Sequence, residues 1–350
     1  MPLKIEKLKS EIEDHQSELS PFKIFAYPAD YTLEVLHDKW KHRTVRIPPT
    51  QRHFVWTVVQ ASRLVESFLL GLPVPGIFLY KDKETEELLV IDGQQRLRSV
   101  FGFFEGSVPD SKQEFSLRGV QPTWEGQSFQ QLRKKERQRL KDSVLRATIV
   151  DQIDPEDNTS IIHIFERLNT GGTSLQPQEV RNCTCSGPFN ELLNKLNLRA
   201  QWRALVGSER TDRRMRDVEL VLRFLALARG AEQYSKPMKN FLSDFMKRNR
   251  FAPQDRLAQF EKLFVDTVQK VVQHLAQKPF HVRAGLNAAV YDSVMTAFAQ
   301  RQTPPPQDVR ARYKKLLRNR AFREYTSSGT TDVDVVRKRM ALAKRKLFGE

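Results

Sequence analysis

Cysteine is scarce: there are 2 in 350 residues, too few for a disulfide scaffold. The pair, Cys183 and Cys185, lacks the spacing and partners of a zinc site, so ordinary thiols at the start of a helix are expected. No apolar run approaches the ~20 residues of a membrane helix. Met1 to Gln16 alternates charge with isolated Ile and Leu and has no secretory core. A soluble, cytoplasmic chain without a membrane partner is expected. The G-x-x-x-x-G-K-[ST] loop is missing, which excludes a P-loop nucleotidase by pattern. Acidic residues are also in short supply: 42 Asp and Glu stand against 58 Lys and Arg, a formal net charge of +16. That excess favours a polyanionic partner, nucleic acid or a nucleoside triphosphate; the alternative is a solvated basic surface. With 39% hydrophobic and 29% charged residues the chain is globular rather than disordered. Its length predicts about two domains.

Hydrophobic period divides the chain. Ile5, Leu8, Ile12 and Leu19 suggest a short amphipathic helix, ended by Pro21 and Pro28. Short apolar runs at 45–47, 77–80, 88–91 and 144–150 read as strands. Val58, Ala61, Val65, Phe68 and Leu69 form a helical stripe stopped by Gly71 and Pro73. A second stripe, Leu97, Val100, Phe101 and Phe104, follows the strand at 88–91. Residues 106–128 read as a loop. Asp154 and Pro155 look like the cap and first position of another helix, with Ile161, Ile162, Phe165 and Leu168 as its apolar face. Beyond Val150 the pattern is helical, at 217–228, 253–275, 284–298, 306–317 and 332–348. The expected fold class is α+β: a small mixed-sheet domain over 1–150 and a mostly α-helical domain over 151–350.

The most informative segment is Ile91-Asp92-Gly93-Gln94-Gln95-Arg96, a strand, a tight turn and a helix start. Glycine permits the sharp turn, and the helix N-terminus exposes N–H groups and a dipole that favour an anion. Arg96 adds a planar fork for phosphate oxygens. Asp92 can hold a divalent cation that bridges those phosphates, and Gln94 and Gln95 can orient water or touch a nucleotide. The plainer alternative is an ordinary turn with Asp92 as the helix cap. Gln51 and Arg52, past the first strand and the stiff Pro48-Pro49, are placed to close over a nucleotide, while Phe54 and Trp56 suit the core. Asp92 with Asp110-Ser111-Lys112 mimics a metal-nuclease signature, but the second acid falls in a loop rather than on a paired strand.

Arg46 to Trp56, Leu69 to Pro75, Asp92 to Arg96 and Phe165 to Arg181 together resemble, in order and spacing, the N-terminal domain of GmrSD-type modification-dependent restriction endonucleases, related to the ParB/sulfiredoxin-like fold. Arg216-Asp217-Val218-Glu219-Leu220 and the closing 331–348 helix also look familial. The resemblance implies binding and hydrolysis of a nucleoside triphosphate with Mg²⁺, in defence against foreign DNA. It implies a site built from Asp92, Gly93, Gln94, Gln95 and Arg96, with Gln51, Arg52 and Asn169 nearby, and with Asp92 toward the metal. Gln94 and Gln95 stand where sulfiredoxin chemistry would need a cysteine, so that chemistry is excluded. No His-Asn-His nuclease module is recognisable, so DNA cutting is expected from a partner protein. The rival reading is a non-enzymatic, basic DNA-binding protein. Its candidate contacts are the stretches 133–141, 310–320 and 337–346, with Lys344, Arg345 and Lys346 at the end of the last.

Overall fold

The computed structural model describes residues 5–6, 23–47, 54–154, 164, 176–212, 214–275, 277–282, 285–301 and 303–349. The chain divides into two compact units, Pro21–Leu175 on one side and Met1–Ser20 with Gln176–Glu350 on the other. The expected border at 150/151 falls inside a strand of the first unit.

The first unit runs β1 (Lys23–Thr32), α1 (Leu33–Lys41), β2 (Val45–Arg46), α2 (Val58–Leu70), β3 (Ile77–Lys81), β4 (Leu88–Asp92), α3 (Gln94–Glu105), α4 (Lys134–Asp142) and β5 (Val144–Asp154). Its mixed sheet has the order β1-β5-β3-β4-β2. The β1/β5 and β3/β4 pairs are antiparallel, whereas β3/β5 and β2/β4 are parallel. The stripes read from sequence point inward: Ala61, Val65, Phe68 and Leu69 of α2 and Leu97, Val100 and Phe101 of α3 share one core with Ile77, Leu79, Val90, Ala147 and Ile149. A capping box between Thr57 and Gln60 starts α2, which satisfies N–H groups the helix leaves open.

Several local expectations differ from the structure. β1 was not anticipated, because Pro28 sits in its middle; it pairs with β5 alone, opposite Thr148, and an edge strand tolerates a residue that cannot donate. Asp154 is the last residue of β5, paired with Lys23, instead of a helix cap. Ile5 is extended and bridges Leu286, so the described start of the expected amphipathic helix is not helical. The rest of that helix, and Ile161, Ile162, Phe165 and Leu168, lie outside the described residues.

The second unit comprises α5 (Pro177–Thr184), α6 (Pro188–Asn197), α7 (Ala200–Val206), α8 (Arg216–Gly230), α9 (Met238–Arg248), α10 (Gln254–His274), α11 (Ala288–Gln300), α12 (Val309–Arg318), α13 (Arg320–Tyr325) and α14 (Val333–Phe348). Cys183 and Cys185 lie at the end of α5, not at a helix start, and Cys185 is buried. This core carries ion pairs that no hydrophobic period announces. Arg223 of α8 grips Asp292 of α11 through two bonds of 3.2 and 2.7 Å, and Arg339 of α14 adds a third at 3.1 Å. Asp217 is fully buried against Arg203 at 2.7 Å. Arg181, itself 2% exposed, reaches Glu219 at 3.0 Å. The Arg216–Leu220 stretch therefore supplies two of these pairs: its two acids each hold an arginine from another helix. Removing one partner of such a pair strands the other charge.

Candidate nucleotide site

β4 ends at Asp92, Gly93 turns the chain with φ of 99°, and α3 begins at Gln94. The glycine is required twice. Its φ is one that L side chains avoid, and a Cβ there would lie 2.2 Å from Ile77 Cγ2 on β3. The N-cap position is Gly93 and supplies no side-chain cap to α3. Asp92 thus does not serve as the cap that the plainer reading gives it. Its Oδ2 instead accepts a 2.6 Å bond from Arg96 Nη2, one turn along the helix.

Arg96 Nη2 also donates to the carbonyl of Gly76 at 3.0 Å, so backbone and carboxylate together fix the guanidinium beside the helix N-terminus. Arg96 Nε is buried and has no acceptor among the described residues. A buried donor left so costs about 1–3 kcal/mol unless something accepts from it. Asp92 is 39% exposed. A carboxylate at the mouth of the turn, a forked cation behind it and an uncapped helix start therefore share one place.

Gln94 is buried at 7% exposure. Gln95 turns outward to hold chain: its Oε1 accepts from the N–H groups of Val55 at 3.0 Å and Trp56 at 3.4 Å. Asp110 Oδ2 accepts from the N–H of Phe54 at 2.9 Å, and its Oδ1 accepts from Arg98 Nη2. Three successive N–H groups of the 54–56 segment are thereby tied to α3 and to the turn after it. This joins two motifs that the sequence offers separately, because Phe54 follows Arg52 by two positions. Gln51, Arg52 and Asn169 themselves lie outside the described residues. Phe54 and Trp56 pack partly buried on the core, as expected.

The nuclease reading loses its second acid, because both Asp110 oxygens are committed to Phe54 and Arg98. Among the described residues no group of three His, Cys, Asp or Glu side chains is arranged to hold a metal ion. The positive φ of 60° at Asp110 and its role as an anchor carry no local sequence signal. On α14, Arg345 and Lys346 are exposed and Lys344 is half-buried.

None of the curated proteins compared matches the chain. Residues 33–185, from the first residue of α1 to the C-cap of α5 and including the whole Asp92–Arg96 turn, match the family model described as GmrSD restriction endonuclease, N-terminal domain.

Proposed function

We propose that this chain binds a nucleoside triphosphate at the Asp92–Arg96 turn and hydrolyses it with Mg²⁺, as the nucleotide-dependent module of a DNA-directed restriction or anti-phage system. The observation that carries the reading is the fixed Asp92–Arg96 pair at the uncapped start of α3. Backbone N–H groups at a helix start and an arginine fork are complementary to phosphate oxygens.

The residues suit a magnesium ion of the substrate-bridging kind. Such an ion keeps waters and takes only one or two carboxylates beside phosphate oxygens, and Asp92 has its Oδ1 left for it. Asp92 would hold the ion, which would supply charge neutralisation at the phosphates. In hydrolysis a water oxygen bonds to the terminal phosphorus while the bond to the bridging oxygen breaks; the nucleoside diphosphate leaves with that oxygen, and the water's proton passes to solvent. Arg96 and the N–H groups of the turn stabilise the charge that gathers on the oxygens. Gln95 acts as a positioning residue, since its carbonyl holds the segment that follows Gln51 and Arg52.

Affinity for DNA belongs to the same reading. Lys338 and Arg345, seven residues apart on α14, line a cleft of about 400 Å³ with Tyr325 of α13, a pairing of cations and an aromatic ring suited to a nucleic-acid backbone. The deciding experiment is phosphate release from each of the four common triphosphates with Mg²⁺, with and without duplex DNA. Turnover of at least one is expected. Salt-sensitive DNA binding with no turnover of any would favour the non-enzymatic rival.

A further inference from the structure

The opposite side of α3 carries a cavity of about 410 Å³ that the turn at Asp92 does not use. It lies between α1, the second half of α3 and the 107–112 turn, within the first unit. Its volume is in the range of small-molecule sites, about 300–1,000 Å³. Gly102 makes it possible: a Cβ there would meet the carbonyl of Ser107 at 2.7 Å and Pro109 at 2.9 Å, so only glycine lets that turn close against the helix.

The lining divides into three chemistries. One wall is aromatic, with Trp40 stacked on Phe101 at 5.2 Å between centroids and 27° between planes. The second element is Glu105. Its Oε1 bonds His37 Nε2 at 3.2 Å, and its Oε2 has no partner among the described residues. Burial lowers the pKa of His37, so the ring is neutral near pH 7 and leaves the carboxylate charge standing. The third element is Lys112, which is exposed and makes no ion pair among the described residues. The other two charges cancel, because Arg98 is paired with Asp110.

A flat aromatic wall, a carboxylate acceptor and one uncommitted cation are complementary to a planar ring that bears an amino group and carries an anion. A carboxylate accepts from the exocyclic amine of a base, an aromatic face stacks on any base, and an ammonium binds phosphate as a point charge. We propose that this cavity is a second ligand site, for a nucleoside monophosphate with an amino-bearing base, held by Trp40, Glu105 and Lys112. It stands apart from the reading of the Asp92 turn. Its wall also includes Asp110, the anchor of Phe54, so the ligand would sit against the tie that holds the 54–56 segment.

The test is calorimetric titration of the full chain, without Mg²⁺, by AMP, IMP and adenosine. One AMP per chain is expected. IMP, which turns a carbonyl toward Glu105, should bind about tenfold or more weakly, because a hydrogen bond to a charged acceptor is lost. Adenosine should also bind more weakly. Lys112→Glu lies on the surface and should weaken AMP by about fivefold or more, the effect of reversing one charge beside a phosphate. Arg96→Ala should leave AMP affinity unchanged. Absence of AMP binding, equal affinity for AMP and IMP, or indifference to Lys112→Glu would overturn the proposal. Loss of AMP in Arg96→Ala but not in Lys112→Glu would place AMP at the Asp92 turn, ending this proposal while leaving the proposed nucleotide function intact.

Discussion

Gly93 and Arg96 show how much single residues decide at the turn. An alanine at 93 would put its Cβ into Ile77 and hold an unfavourable φ. We expect Gly93→Ala to cost about 2–4 kcal/mol, combining overpacking with left-handed strain, read as a lower midpoint in urea unfolding; an unchanged midpoint would mean β3 and the turn are not in contact. At the proposed site Arg96 acts through charge. Arg96→Ala should weaken a triphosphate far more than the matching nucleoside, because only the phosphates use the fork. Equal losses for both ligands would make Arg96 a purely structural partner of Asp92 and Gly76.

Among the elements, α4 offers a pH-dependent contact. Glu136 accepts from Arg133 and from the indole N–H of Trp124 at 2.9 Å. These bonds, that from Arg133 first, lower its pKa from 4.5 to about 2. A carboxylate depressed in the folded state stabilises fully above its unfolded pKa and loses that contribution as pH falls through the folded one. Glu136→Gln should therefore lower stability at neutral pH and remove part of the decline between about pH 4.5 and 2, measured by unfolding at a series of pH values. An identical acid profile in the variant would show that the contact contributes nothing. Elements also mark how far the sequence could be read. The strand, Gly93 and helix were legible because apolar period, glycine and polar turn agree in one place. The stripes of α2 and α3 were legible for the same reason. β1 was hidden by Pro28, whose tolerance depends on an edge position that only the assembled sheet creates. Asp292 and Asp217 were hidden because each buried acid finds its arginine 69 and 14 residues away. The tie from Gln95 to Val55 spans 40 residues, so the sequence shows both motifs but not their junction.

At the scale of the whole molecule the +16 charge must find a partner or remain solvated. If about four phosphates are contacted, the dependence of DNA affinity on salt should have a log–log slope near ~−3.6. Charge reversal at Lys344, Arg345 and Lys346 should flatten it. The change should spare the fold, because Val336 and Leu347 hold the other face of α14 in the core. A slope that ignores the reversal would make that helix face only a solvated surface. The turn between β4 and α3 is the proposed centre of activity, and it is tested by Mg²⁺-dependent phosphate release by the native chain and by Asp92→Ala, each with its unfolding curve. Release by the native protein from at least one of the four triphosphates is expected. The variant should lose that release while unfolding as cooperatively as the native chain, since Asp92 is partly exposed. No release by the native protein, or undiminished release by a folded Asp92→Ala, would contradict nucleotide hydrolysis at this turn.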